Sequence, residues 1–133
     1  MTYNFKRDPK SRIILVDVWV DKYYKFKMAL DTAASSTTFD VNAMHLLGYP
    51  YPTDSTVSKG MVETASGFME VDIIKTNAIS AFGHTVRNVD VQVYDFLAHG
   101  IISDYDGVLG IDFFEGTEFT INMKNQTIEV KPA

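Results

Sequence analysis

Apolar and polar positions alternate along two early segments of the chain, residues 12–20 and residues 23–30. Successive side chains of a strand point to opposite faces, so a period of two is typical of a half-buried strand. Asp21 and Lys22 lie between the two segments and are a plausible two-residue turn. The pattern predicts a β-hairpin whose second strand delivers Asp31.

Three later segments also have the pattern of two strands around a turn, because turn-forming residues interrupt their apolar stretches. They span residues 57–76, 78–94 and 118–130, with turns at Ala65-Ser66-Gly67, near Gly83-His84 and about Lys124-Asn125. At the end of the second segment, three valines alternate with Asp90, Gln92 and Tyr94. We therefore expect three further hairpins.

Helical signals are few and short. Asp40 is a good N-cap for a helix over residues 41–47, and Gly48 is a good terminator just past it. Residues 108–114 predict a buried strand end followed by one helical turn, closed by Gly116. The chain is therefore expected to be all-β, mainly antiparallel, with two short helices.

The length of 133 residues suits one domain with a single sizeable core. Residues 1–11 are polar and contain Pro9, which predicts an N-terminal arm. Residues 12–133 then form the domain, since no linker, repeat or low-complexity tract interrupts them.

Composition and charge narrow the possible partners. A net charge of −5, without a basic cluster, argues against nucleic acid. The apolar run at residues 13–20 contains Asp17, is too short to cross a bilayer and lacks the flanks of a signal peptide. The absence of cysteine excludes disulfides, thiol catalysis and cysteine-bound zinc. We expect a cytoplasmic protein with no membrane partner, or a domain of a longer protein.

Candidate chemistry is concentrated in residues 26–39, where a strand gives way to small and hydroxylic residues. Asp31 stands at this boundary and is followed by Thr32-Ala33-Ala34-Ser35. Small residues let backbone approach the carboxylate closely, so N–H and hydroxyl donors can surround it.

This stretch resembles the Asp-Thr-Gly-Ala-Ser loop of the retroviral-type, or retropepsin-like, aspartic proteases, with Ala33 at the glycine position. Val108-Leu109-Gly110 is similar to the family's second hallmark, two aliphatic residues and a glycine entering a short helix. Residues 63–68 resemble the turn of its flap hairpin. The three matches occur in the family's order, covering roughly residues 12–130. The resemblance implies the closed-barrel fold of the single-lobe members.

The resemblance also implies an activity, that of an aspartic endopeptidase. Such an enzyme needs two neighbouring carboxylates that share one proton and activate a water molecule. The chain has one Asp-Thr-x-Ala sequence, so the second carboxylate must come from Asp31 of another copy. The implied partners are a second subunit, in a homodimer, and an extended peptide or protein substrate. No metal or organic cofactor is implied.

Roles for the neighbours of Asp31 follow from the same resemblance. Thr32 would lock the two loops of the dimer together, and position 33 would present its N–H to the carboxylate. Ala34 would keep the loop small, and Ser35 would help to hold its shape. The segment Val108, Leu109 and Gly110 would pack beneath the loop. The flap tip, which would cover the substrate, comprises Thr64, Ala65, Ser66 and Gly67.

Ala33 is the point at which the chain departs from the family. Alanine keeps the backbone N–H, but its methyl group narrows the allowed backbone conformations and fills space. One added methyl on each subunit could disturb two carboxylates at a tight dimer centre. The alternative function is therefore a catalytically impaired retropepsin-like domain that acts as a peptide-binding or dimerisation module.

Other hydrolytic chemistries have less support. His45, His84 and His99 lack the spacing of a zinc site. Ser35 and Ser36 lack the Gly-x-Ser-x-Gly elbow of many serine hydrolases, and no glycine-rich phosphate loop is present.

Overall fold

The computed structural model describes residues 1–51, 57–64, 67–101 and 104–132. In chain order, its strands are β1 (Thr2–Asn4), β2 (Lys6–Arg7), β3 (Ile14–Val20), β4 (Tyr24–Leu30), β5 (Thr38–Asp40), β6 (Ser58–Thr64), β7 (Gly67–Ala81), β8 (His84–Tyr94), β9 (Gly107–Leu109), β10 (Thr117–Asn122) and β11 (Thr127–Pro132). Helix α1 is Val41–Leu46, and 3₁₀-helices span Leu97–His99 and Ile111–Phe114. No helix in the described part is long and apolar enough to cross a membrane.

Eight of the described strands form one sheet in the order β2-β3-β4-β9-β5-β8-β7-β6. The sheet closes on itself because β3 also pairs with β7, at Trp19–Ser80 and Val20–Ile79. Most neighbours are antiparallel, and the exceptions in this sheet are β4–β9 and β5–β8. This arrangement confirms the predicted all-β, mainly antiparallel closed barrel. A smaller sheet of three strands, in the order β1-β11-β10, shares no strand with the larger one.

Alternation along β3 and β4 builds much of the core. Val16, Val18 and Val20 are buried on one face of β3, while Asp17 is exposed on the other. Phe26 on β4 is fully buried, and its ring meets that of Phe39 on β5 edge to face at 4.9 Å. Each such side chain contributes about 1.5–3 kcal/mol of stability through its removal from water.

The predicted β3–β4 hairpin is confirmed, but its loop has three residues, 21–23, instead of the predicted two, and it also contacts β7. Asp21 and Lys22 have φ values of 52° and 70°, and two successive positive values match the twist of a tight hairpin. The Asp21 carboxylate accepts hydrogen bonds from the N–H groups of Asn77 and Ala78, at 2.9 and 3.1 Å. The hairpin is thereby fastened to the strand that closes the barrel.

The predicted first helix is present as α1. The Asp40 carboxylate accepts a hydrogen bond from the N–H of Asn42, and Gly48 follows the helix with a φ of 76°. The second predicted helix is the 3₁₀-helix at Ile111–Phe114. The 3₁₀-helix at Leu97–His99 lies in a segment that the sequence predicted as loop.

The prediction of two separate hairpins over residues 57–76 and 78–94 was wrong in one respect. β7 is a single strand of 15 residues that pairs with both β6 and β8. It passes through Asn77 because Thr76 pairs with Val89 and Ala78 pairs with Arg87 on β8.

The first residues of the chain pair with the rest. β1 pairs with β11, β2 pairs with β3, and Phe5 between them is only 4% exposed. The division of the chain into an arm and a domain at residue 11 stays a prediction.

Candidate active site

Asp31 lies directly after β4, in a loop held by backbone hydrogen bonds. Its N–H donates to the carbonyl of Leu109 at 3.1 Å, and its carbonyl accepts from the N–H of Ala34 at 3.1 Å. The N–H of Ala33 donates to Asp31 Oδ1 at 2.9 Å. The carboxylate is oriented by its own loop, while the residue itself remains exposed.

Ala33 takes up this geometry without backbone strain. Among the described residues, it is absent from the non-glycine positions with positive φ. Its conformation is therefore one that alanine adopts as readily as glycine. The predicted effect of the methyl on backbone conformation is not seen, and its effect on space at a dimer centre stays a prediction.

β9 supports the loop from below. It runs parallel to β4, which places Leu109 beside Leu30, and Leu109 is fully buried. At Gly110, a β-carbon would lie 2.8 Å from the carbonyl oxygen of Ala34, closer than real side chains come. The N–H of Ile111 donates to that same carbonyl at 2.8 Å. A glycine at 110 therefore permits the close contact between the two segments.

Thr37, which is buried, and Asp112, which is half-buried, form a clamp between the loop and the second 3₁₀-helix. The Thr37 N–H and hydroxyl donate to the two Asp112 carboxylate oxygens, at 2.9 and 2.7 Å. The Thr37 hydroxyl in turn accepts from the N–H of Gly110 at 3.1 Å. Thr37 is only 1% exposed. The sequence analysis did not predict the pairing of Thr37 with Asp112, which only the fold brings together.

The remaining predicted site residues occupy several positions. Thr32 and Ser35 are exposed, and Ala34 and Val108 are half-buried. Thr64 pairs with Gly67 at the end of the β6–β7 hairpin. Ala65 and Ser66 lie outside the described residues.

A cavity of about 480 Å³ opens beside the loop. Its described lining comprises Asp31, Ala33, Ala34, Ser35, Ser36, Thr38, Met61, Gln92, Tyr94 and Val108. Asp31 is the one carboxylate among these lining residues. Met61 comes from β6, so the cavity lies between the loop and the proposed flap hairpin.

Met61, Gln92 and Tyr94 were not predicted as site residues. For the last two a signal existed, because they alternate with valines along β8 and so had to face away from the core. Burial, followed by the nearby Tyr105 and Asp40, raises the pKa of Tyr94. Its hydroxyl group is therefore uncharged at neutral pH.

Three side chains hold together the root of the β6–β7 hairpin, which is the end away from its turn. Lys59 on β6 forms an ion pair with Asp72 on β7, and the Tyr51 hydroxyl donates to Asp72 Oδ2 at 2.7 Å. The hydrogen bond from Lys59, and to a smaller extent that from Tyr51, holds the pKa of Asp72 below its usual value despite partial burial. This cluster, Tyr51–Asp72–Lys59, fixes the base of the hairpin and leaves Met61 and Phe68 exposed nearer its tip.

In residues 1–51, 57–64, 67–101 and 104–132, no group of three His, Asp or Glu side chains is placed to hold a metal ion.

The sequence profile of the family described as "Aspartyl protease" matches residues 16–113, which run from β3 through the second 3₁₀-helix. The chain belongs to the aspartyl protease family. The fold is also that of a retropepsin-like aspartic protease from Rickettsia conorii, with a TM-score of 0.68 at 20% sequence identity. The match covers 100% of this chain and 92% of that one. No curated protein matches this member of the aspartyl protease family in sequence.

Proposed function

We propose that the chain is an aspartic endopeptidase that is active as a homodimer, with Asp31 of each subunit forming the catalytic pair. The observation that carries this proposal is the isolation of Asp31. It is exposed in the cavity, oriented by the Ala33 N–H, and the single carboxylate in the described lining. This arrangement supports the proposal that each chain supplies one carboxylate of a two-carboxylate site.

The chemistry requires both halves. Two carboxylates within hydrogen-bond reach share one proton, because both cannot be charged at that distance. The charged carboxylate takes a proton from the water held between them, and the water oxygen attacks the peptide carbonyl carbon. The protonated carboxylate donates to the carbonyl oxygen. Return of a proton to the amide nitrogen then breaks the C–N bond and releases two peptides.

The surrounding residues have supporting roles in this proposal. Thr32 is exposed beside Asp31, where its hydroxyl can reach the backbone of the second loop across the two-fold axis. Ala34, Ser35 and the segment from Val108 to Gly110 shape the loop, and the tip between Thr64 and Gly67 covers bound substrate. An extended peptide in the cavity would pass beneath Met61 on β6.

The test compares wild type with Asp31→Asn, which keeps the side-chain shape but cannot accept the proton. We expect wild type to cut members of a diverse peptide library, and Asp31→Asn to cut none while remaining folded and dimeric by light scattering. Asp17→Asn is the matched control, because Asp17 is an exposed acid on the barrel surface. Wild-type cleavage that survives Asp31→Asn would refute the proposal. A normal wild-type dimer that cuts nothing would favour the peptide-binding or dimerisation module.

A further inference from the structure

Three residues from neighbouring strands form a row along the floor of the cavity. Thr38 on β5 pairs with Val108 on β9 and with Gln92 on β8, and all three line the cavity. In-register neighbours present their side chains on the same face of a sheet. The row therefore changes from apolar at Val108, through a hydroxyl, to an amide at Gln92.

The row has a defined direction relative to Asp31. Leu109, the residue after Val108, pairs with Leu30, which directly precedes Asp31. Val108 is thus the end nearest the carboxylate, and Gln92 lies two strands further on, roughly 10 Å from Val108 across the sheet. An extended peptide advances about 3.3 Å per residue, so Gln92 lies within reach of a side chain about two or three residues from the bond that is cut.

The Gln92 amide has hydrogen-bonding capacity left over. Its Oε1 accepts from the Thr38 hydroxyl at 3.2 Å, which fixes the amide against the floor. No described residue accepts a hydrogen bond from its Nε2. The two N–H donors of this nitrogen are therefore available to a molecule in the cavity. No carboxylate in the described lining other than Asp31 competes for them.

From this arrangement we infer that Gln92 is a specificity-determining residue. It selects substrates with a side chain that ends in a carbonyl or carboxylate oxygen, as in Gln or Glu, two or three residues from the cut bond. The inference rests on the proposed function for its substrate class. The interaction is remote from the reacting atoms, so the preference belongs in KM rather than kcat.

The test uses pairs of peptides that differ only at this substrate position. One member of each pair carries Gln or Glu, and the other carries Met, which has a similar length without the oxygen. We expect wild type to prefer the oxygen-bearing peptide by about tenfold, the value of one good hydrogen bond. Gln92→Leu should abolish this ratio. Asn77→Leu, an exposed amide replaced on β7 outside the cavity, should leave it unchanged.

A second variant, Gln92→Glu, tests the same inference because it replaces the amide N–H donors with carboxylate oxygen acceptors. It should disfavour the Glu peptide and raise the preference for Lys or Arg at that position. In wild type, comparing the Gln peptide with the Glu peptide also shows whether the site prefers an amide or a carboxylate. Equal ratios in wild type and Gln92→Leu would overturn the inference and leave the endopeptidase proposal intact.

Binding of the same peptides, labelled and measured by fluorescence anisotropy with Asp31→Asn, separates the two proposals. If wild type cuts nothing but the Gln-over-Met binding ratio persists and is lost on adding Gln92→Leu, the inference stands and the endopeptidase proposal fails. Without a preference in either cleavage or binding, Gln92 has no role in selection.

Discussion

At the scale of single residues, Ala33 stands where the sequence resemblance places a glycine, and the structure narrows what this alanine does. The N–H donor to Asp31 is kept at 2.9 Å, and the backbone conformation suits alanine. The remaining effect of the methyl is its volume, because Ala33 is exposed beside the carboxylate that meets its copy in the proposed dimer.

If the proposed dimer forms, Ala33→Gly should raise the rate of peptide cleavage several-fold, because it removes one methyl from each side of the proposed dimer centre. The unfolded chain gains freedom, so we expect a loss of up to ~1 kcal/mol in the free energy of unfolding. Cleavage assays and dimer dissociation measured on both variants test this. A fall in both activity and dimer affinity would show instead that the methyl spaces the two loops.

Thr37→Val tests the clamp beneath the loop. The substitution keeps the shape but leaves Asp112 Oδ1 and the Gly110 N–H without their hydroxyl partner. Because Thr37 is buried, we expect a loss of about 1–3 kcal/mol in the free energy of unfolding by denaturant titration. Thr37→Ser retains the hydroxyl and should recover most of that loss. Equal stability of the valine and serine variants would contradict a role for the hydroxyl.

At the scale of elements, local pattern predicted hairpins and helix well and long-range pairing poorly. The 12–30 hairpin and the helix capped by Asp40 have their signals within a few residues of sequence. The passage of β7 through Asn77 has no local signal, because pairing with β8 on both sides of it decides the outcome.

The residues of the candidate site likewise divide into those that local sequence predicts and those that long-range strand pairing decides. The loop at Asp31 follows a short motif and could be found from sequence, whereas the lining at Met61 and Gln92 depends on which strands become neighbours. The clamp partners Thr37 and Asp112 are 75 residues apart in sequence. No pattern within a window of adjacent residues contains that pairing.

Asp72→Asn tests the cluster at the root of the β6–β7 hairpin. The pKa of Asp72 is lowered in the folded state, so its carboxylate stabilises the fold above the ordinary pKa of 3.8 and loses this effect as pH falls through the lowered value. The stability difference between wild type and Asp72→Asn should therefore be largest at neutral pH and smaller at a pH below the ordinary value of 3.8. Denaturant titrations at the two pH values measure it.

Hydrogen exchange shows which strands the Asp72→Asn substitution destabilises. At neutral pH, Asp72→Asn should speed amide exchange in β6 and the adjoining part of β7 more than in β3 and β4. Asp90→Asn is the control, because Asp90 pairs with Lys75 between β7 and β8, outside the cluster. A uniform increase in exchange across the barrel would mean that the cluster stabilises the whole domain and does not fix the hairpin in particular.

At the scale of the whole molecule, the proposed site belongs to two chains at once. A subunit that carries Asp31→Asn should therefore inactivate the wild-type subunit with which it pairs. Adding an excess of Asp31→Asn to wild type should lower the total cleavage rate, while the same excess of Asp17→Asn should not. If activity stays proportional to the wild-type subunits alone, each chain carries a complete site, and the shared-site proposal fails.

The Thr37–Asp112 clamp has a consequence for the order of events as the chain folds. Contacts between residues distant in sequence form slowly, because a long loop must close before they contribute. Asp31 leaves the ribosome long before Asp112, yet its loop rests on β9 and on the 3₁₀-helix that contains Asp112. The loop therefore reaches its final shape only after residue 112 has been made and the 3₁₀-helix that contains it has folded. A chain that has not yet reached residue 112 therefore cannot contribute its own half of the proposed site.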